Sequence, residues 1–410
     1  MKRICVFSYL FAPLLSAESM ALLKKVRVLA ERFALTIVTS ESNNRVYPSD
    51  ETLEKYIPQN VEVIRVPITA TPHRLHHLAH TAGKILFRGS ATVQYYDLCW
   101  ARNAASFIRR KVAEGRKFDL LMTNSQHMCS HVAGHWAKPS LPVPWIQHYS
   151  DPVQHQATRK HYLPAQKLDD WFVPRILPQA SLITVPSNEM KQSLYDAFDP
   201  AARSSFFEKT IVVPHTYDEQ FLTDALKSHP RPEQYFGESD SVNVAYTGNL
   251  YGIRGAELVA NVARRLTSGN AAKKIVIHVF GSVRGQDRKK LEGIGAAVQF
   301  HGNVSYLESL AVMQHADILL LLDVPVPGAP FFPSKLAEYL GTEKPIIVLA
   351  SKNSAAARIA SEMKLMLHPY TDEPIRLDNN GTGAGKGIRR VYSNSLENYC
   401  ELVERMDSLG

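Results

Sequence analysis

Two kinds of hydrophobic pattern alternate along the chain. Short apolar runs rich in β-branched residues read as buried strands: ICVFS near the start, ALTIVTS (34–40), VEVIRVP (61–67) and FDLLMTNS (118–125). Between them, apolar residues return at helical spacing. Leu22, Leu23, Val26, Leu29 and Ala30 do so within MALLKKVRVLAERF, and Trp100, Ala104, Phe107 and Ile108 within a segment from about Gln94 to Glu114. VPWIQHYSDP (143–152), ASLITVPS (180–187) and KTIVVPH (209–215) continue the strand series. Apolar runs separated by helices predict a parallel sheet covered on both faces.

A polar stretch with Pro and Gly, KSHPRPEQYFGESDS (227–241), precedes a second series. VNVAYTG (242–248), KIVIHVFG (274–281), VQFHG (298–302), ADILLLL (316–322) and KPIIVLA (344–350) again alternate with helical segments such as GAELVANVARRL. The pattern predicts an α/β chain of two doubly wound, Rossmann-like domains: residues 1–215, a linker over 216–240, and residues 241–393. A last helical pattern, NSLENYCELVERMDSL (394–409), belongs to no obvious βα unit.

The opening MKRICVFSYLFAPLLSAES has the outline of a secretory signal: basic, then apolar, then small residues. The cleavage that fits, after Ser19 with Ala17 in the third-last position, would remove the first strand of a βαβ unit. The helix that follows would then have nothing to pack on. ICVFSYLFAP is therefore read as a retained first strand, and LLSAES as the loop after it.

Composition narrows the class further. At 410 residues, 45% apolar and 21% charged, the chain is long enough for two soluble domains with real cores. No window approaches the roughly 18 uninterrupted apolar residues of a membrane span. The net charge of +8 favours an anionic partner, but the basic residues are scattered and no nucleic-acid recognition motif is present. Cys5, Cys99, Cys129 and Cys400 are far apart and fit neither a metal site nor a disulfide framework, so they are read as reduced thiols of a cytoplasmic protein.

Two segments stand apart. TPHRLHHLAHTAGKILFRGSATVQYY (71–96) interleaves histidines, arginines and a lysine with Leu, Ile and Phe. It reads either as an irregular surface excursion or as a basic, apolar-studded element that meets an anionic or lipid-bearing acceptor. GTGAGKG (381–387) imitates a phosphate loop, but its spacing is wrong and no strand precedes it, so it is read as a connector.

Open α/β sheets bind ligands beyond the carboxyl ends of their strands, and two facing domains would turn both sets of ends to one cleft. After strand one, Ser16 can cap the next helix, with Ala17 and Glu18 in its first turn, where free N–H groups suit an anion. In YTGNLYGIRGAELV, Gly248, Gly252 and Gly255 loosen a turn, and Arg254 stands where a helix begins. An arginine fork there suits a diphosphate, although an ordinary surface arginine fits the same pattern. In FFPSKLAEYLG, Pro333 and Ser334 start a helix and Glu338 lies one turn on, on the same face. Such a start can hold phosphate while the carboxylate accepts both hydroxyls of a ribose; a capping pair is the plainer alternative.

These residues resemble the GT-B glycosyltransferases of the retaining, nucleotide-sugar-dependent family 4, nearly end to end. The likeness rests on the strand-one loop, T-G-N-L-Y-G-I-R-G, F-G at Phe280 and Gly281, H-G-N-V, A-D at Asp317, and above all P-S-K-L-A-E-Y-L. Segments F-D-L-L-M-T-N-S…S-H-V-A-G-H-W and P-W-I-Q-H-Y-S-D-P resemble a subgroup that acts on polysaccharide and lipid-linked glycans. The resemblance implies a transferase that moves a hexose-type unit from a nucleoside-diphosphate sugar to a glycan or lipid-linked acceptor, with retention, in cell-surface glycan biosynthesis. It implies a nucleotide held mainly by the second domain, an acceptor held mainly by the first, and a C-terminal helix (394–410) crossing back to the first.

By position, it implies Glu338 at the ribose, Arg254 in place of the lysine that contacts the diphosphate, and His148 at the donor sugar; these three are the expected catalytic residues. The N–H groups around Ser334, with Pro333 and Lys335, would assist the leaving phosphate. Ser16, Ala17, Glu18, Gly248, Asn249, Phe280 and Gly281 complete the implied donor site, and His131 and Asp151 match acceptor- or sugar-side positions. No metal is expected, since no two aspartates stand two residues apart, and no cofactor beyond the nucleotide-sugar co-substrate. The expected location is cytoplasmic, with peripheral membrane contact through 71–96 left open. Three departures from the family pattern stand out: Asn249 replaces an arginine, Pro330 replaces the first of two glutamates, and the strand-one loop is Ser-Ala-Glu instead of glycine-rich. They keep two alternatives alive, a nucleotide-sugar epimerase of the same fold and a non-catalytic nucleotide-sugar or glycan binder.

Overall fold

The computed structural model describes residues 1–41, 47–68, 95–125, 127–151, 163–195, 200–237, 240–250, 255–283, 285–292, 298–377 and 390–409. Segment 71–94, the GTGAGKG connector and Arg254 lie outside the described residues. The chain forms two compact units. One is Met1–Pro214 with Ser395–Gly410, the other His215–Asn394.

The first unit holds β1 (Arg3–Ser8), β2 (Ala34–Ser40), β3 (Glu62–Val66), β4 (Leu120–Asn124), β5 (Trp145–His148), β6 (Leu182–Val185) and β7 (Thr210–Val212). They form one sheet in the order β3-β2-β1-β4-β5-β6-β7, every pair parallel. The opening apolar run is thus a central strand, buried on both faces. On one face Cys5, Phe7, Leu121 and Trp145 pack against Trp100, Ala104 and Ile108 of the Tyr95–Ala113 helix and Val132 and Ala133 of the Cys129–Ala137 helix. Burying each large aromatic here contributes roughly 2–3 kcal/mol from apolar area alone.

The Cys400–Ser408 helix belongs to this unit. Lys2 Nζ donates to the carbonyl oxygens of Met406 (3.2 Å), Asp407 (2.7 Å) and Leu409 (2.6 Å), satisfying acceptors that a helix end leaves open. One of the two basic residues that imitate a signal peptide is therefore the C-terminal cap of the last helix.

In the second unit β8 (Ser241–Thr247), β9 (Lys274–Phe280), β10 (Val298–Gly302), β11 (Ile318–Leu322), β12 (Ile346–Leu349) and β13 (Met366–His368) run in the order β10-β9-β8-β11-β12-β13, again all parallel. Both sheets reverse their strand order beside the first strand, at β1/β4 and β8/β11. That is where doubly wound sheets open a crevice. β13 escapes the sequence reading because three residues are too few for a pattern to register. The expected linker also needs correction. Residues 216–240 contain a helix, Glu219–Ser228, capped by Asp218, with Phe221, Leu222 and Ala225 buried. Among the described residues no helix is long and apolar enough to cross a membrane.

One buried pair has a pH consequence. His278 on β9 and His301 on β10 meet at 3.0 Å, with His278 Nε2 3.1 Å from Asn243 Oδ1 and the Asp317 carboxylate just beyond, 3.3 Å from Asn243 Nδ2. Burial pushes His278 down to about 4 and lowers His301 as well. Both rings are neutral in the fold and titrate near 6.5 when unfolded, so their contribution is full above that value and lost as pH falls toward 4. For His278 alone the loss between pH 7 and 4.5 is about 2 kcal/mol. Urea titrations of the wild type and of His278→Gln at the two pH values should show a steeper acid loss in the wild type; equal slopes would contradict it.

Candidate functional site

The second unit places four of the expected donor residues, Gly248, Asn249, Phe280 and Gly281, at the carboxyl ends of β8 and β9. The Gly248 N–H donates to the Phe280 carbonyl (2.7 Å), the Gly281 N–H to the Gly302 carbonyl (2.7 Å), and the Leu250 N–H to the Ser282 carbonyl (2.9 Å). Gly281 sits against the Gly248 carbonyl so closely that a Cβ would collide with it. Asn249, where the family has an arginine, accepts from the Ser282 N–H through Oδ1 (2.8 Å). Its side chain clamps one strand end to the next. Phe280, an expected donor contact, is only 2% exposed and stacks its ring on His301 (4.3 Å, 9°).

The Ser334–Gly341 helix starts beside this pair of turns. Ser16, Asp218, Ser305 and Ser354 each cap their own helix with a side-chain oxygen, whereas Pro333 supplies none here. The Leu336 N–H donates instead to the Pro333 carbonyl (2.8 Å). Lys335, in that first turn, lays its ammonium over the Tyr246 ring (4.4 Å) and against Gly248, on the space a Cβ there would take. A cation thus stands where Asn249 leaves none. The helix is held in place by Tyr339, whose buried hydroxyl accepts from the Thr247 N–H (3.1 Å) and donates to the Leu320 carbonyl (3.3 Å), and by Gly341, against which the Tyr217 ring packs. Glu338, 6% exposed, accepts a hydrogen bond at Oε1 from the Tyr306 hydroxyl (2.7 Å). Nothing in local spacing announces this pair, 32 residues apart in sequence.

In the first unit, Ser16 accepts from the Ser19 N–H (3.0 Å) and caps the Ala17–Leu29 helix; Ala17 and Glu18 open its first turn. Glu18 Oε2 lies 3.4 Å from Asn124 Nδ2, joining the strand-one loop to the end of β4 across the switch point. His148 ends β5. Its Nδ1 is 2.8 Å from Thr184 Oγ1, and its carbonyl accepts from both the N–H (3.0 Å) and the hydroxyl (3.1 Å) of Ser125. Asp151 is half-buried in the turn that follows. His131, expected on the acceptor or sugar side, lies in the core. It is fully buried, with Nδ1 2.6 Å from Thr123 Oγ1 and its ring on Tyr149 (4.3 Å). Burial pushes its pKa down to about 3, with the His148 carbonyl acting the other way, so it stays a neutral core ring.

The sequence reading missed a polar chain at the same strand ends. His127 Nδ1 faces Asp97 Oδ2 at 3.1 Å, and His127 Nε2 is 2.7 Å from the Tyr47 hydroxyl. Tyr9, just past β1, sets its ring edge-on to both His127 and Trp100 (5.3 Å each). Asp97, His127 and Tyr47 lie far apart in sequence and share no motif spacing. Among the described residues no three His, Cys, Asp or Glu side chains gather to hold a metal ion.

The glycosyl transferase 4-like domain family model matches residues 20–207. No curated protein matches the chain by sequence. Among solved structures, HepE of Anabaena, in complex with UDP and glucose, is 15% identical, covers 100% of both chains and superposes with a TM-score of 0.66. Sucrose-phosphate synthase of Thermosynechococcus elongatus is 16% identical over 99% of this chain and 98% of its own, with a TM-score of 0.62. UDP-GlcNAc 2-epimerase of Methanocaldococcus jannaschii is 13% identical over 95% and 97%, with a TM-score of 0.50. The fold is GT-B, as the resemblance implied, and within it residues 20–207 match the glycosyl transferase 4-like domain family.

Proposed function

We propose that the chain transfers a hexose-type sugar, with retention, from a UDP-sugar to a glycan or lipid-linked acceptor in cell-surface glycan biosynthesis. The observation that carries the donor reading is Lys335, whose ammonium lies at Gly248 beside a helix start that has no side-chain cap, with Glu338 one turn further on. A diphosphate meets a cation and the positive end of a helix there, and a ribose meets a carboxylate that can accept two hydroxyls. The UDP bound to HepE favours uridine as the base. Arg254 adds a second cation, and no metal is assigned a role. As the diphosphate leaves, these groups take up its developing charge.

His148 serves the donor sugar, with its ring oriented by Thr184. Glu18 and Asp151 line the sugar side of the first unit, and His131 acts from beneath as packing for Tyr149. The epimerase has the same architecture, so fold alone does not separate the two activities; the family match to residues 20–207 favours transfer. The working location is the cytoplasm, peripheral to the inner membrane face.

Lys335→Ala tests the reading. Removing one charge-assisted contact should weaken UDP binding about 10- to 100-fold by titration calorimetry while leaving uridine nearly unaffected, and Lys335→Arg should retain most of it. Equal affinity of the wild type and Lys335→Ala for UDP would contradict it.

A further inference from the structure

We propose that Tyr306 is a positioning residue that sets Glu338 for a ribose and makes the site selective for it; this rests on the donor reading above. The Tyr306 hydroxyl donates to Glu338 Oε1 at 2.7 Å, and both side chains are under a tenth exposed. Neither partner can drift. Tyr306 is the first residue of the Tyr306–His315 helix, whose start is fixed by a reciprocal capping box between Ser305 and Glu308. Its ring meets Phe221 edge-on (5.6 Å, 88°), and Phe221 is fully buried in the Asp218-capped helix. Glu338 rides on a helix pinned by Tyr339 and Gly341.

A glutamate side chain turns about three bonds, and holding it in one rotamer costs entropy that a ligand must otherwise supply. Tyr306 supplies that order in advance. Donation by a phenol also leaves the carboxylate a pure acceptor, and each of its oxygens has two lone pairs, so Oε1 can take a second donor while engaged. A group so prepared favours a ligand with two adjacent hydroxyl donors and gains nothing from one without them. Tyr306 therefore acts on affinity for the ribose diol, not on the diphosphate.

Titration calorimetry with UDP and with 2′,3′-dideoxy-UDP separates this from a merely structural role. Tyr306→Phe keeps the ring on Phe221 and removes only the donor. It should weaken UDP about 5- to 10-fold and leave dideoxy-UDP unchanged, and in a Glu338→Ala background the same change should have no further effect. Equal weakening of both nucleotides, or no weakening of UDP, overturns the role of Tyr306 while leaving the donor site standing. A wild-type chain that does not bind UDP overturns the donor reading, and this inference with it. A thermal melt of Tyr306→Phe near that of the wild type keeps the comparison free of unfolding.

Discussion

Replacing Glu338 by alanine is expected to weaken UDP binding by about 10²–10⁴-fold, the largest single effect on function. Each hydrogen bond from a hydroxyl to a charged acceptor is worth about 1.5–3 kcal/mol, and the ribose would lose two. Glu338 is buried, accepts from Tyr306 and sits on the Ser334–Gly341 helix, so little about the carboxylate is left to chance. The substitution also strands the Tyr306 hydroxyl, which costs about 1–3 kcal/mol of stability. Glu338→Gln controls for that, since its amide oxygen can still accept from Tyr306, and it should bind UDP with an intermediate affinity. Calorimetric dissociation constants unchanged in both variants would remove Glu338 from the site.

The largest expected effect on stability comes from Gly134→Ala in the first unit. A Cβ there would lie 2.7 Å from both Thr123 Cγ2 and Trp145 Cζ2. Thr123 and Trp145 are fully buried, and Trp145 Nε1 donates to Thr123 Oγ1 at 2.9 Å, so neither can step aside cheaply. The Cys129–Ala137 helix must lift off the sheet instead. Overpacking of this kind costs about 1–3 kcal/mol, against roughly 1 kcal/mol that alanine gains over glycine inside a helix. A net loss of up to about 2 kcal/mol should appear as a lower urea midpoint with an unchanged slope. A gain in stability, as at an exposed helical glycine, would contradict the packing described here. Nucleotide binding, placed in the second unit, should survive below the midpoint.

The sheets were legible because their strands are nearly all apolar and β-branched, a pattern that survives any tertiary context. The run ILLLL of β11 and the run ALTIVTS of β2 could be little else. The helix starts were legible where a side chain caps its own helix, as Ser16 does. What sequence could not carry was pairing at a distance. Whether His131 faces a ligand or a core depends on Thr123, on β4, and Tyr149, just past β5. Asn249 looked like a missing phosphate ligand, and only the neighbouring strand reveals it as a clamp on Ser282. Lys335 was named from a motif, but its place at Gly248 required the helix to fold against β8. Tyr306 had no signal at all, because its function is set by one carboxylate on another helix.

The site was thus readable in its parts and not in its connections. The same holds for Asp97, His127 and Tyr47, which meet only after β1 and β4 are paired.

Titration calorimetry of the intact chain with UDP, GDP, ADP and CMP bears most directly on the nucleotide-sugar donor site. Saturable one-site binding of UDP, weakened most in Glu338→Ala and less in Lys335→Ala, with CMP silent, is the expected result. Silence with all four nucleotides, or binding of UDP that neither substitution alters, would contradict it.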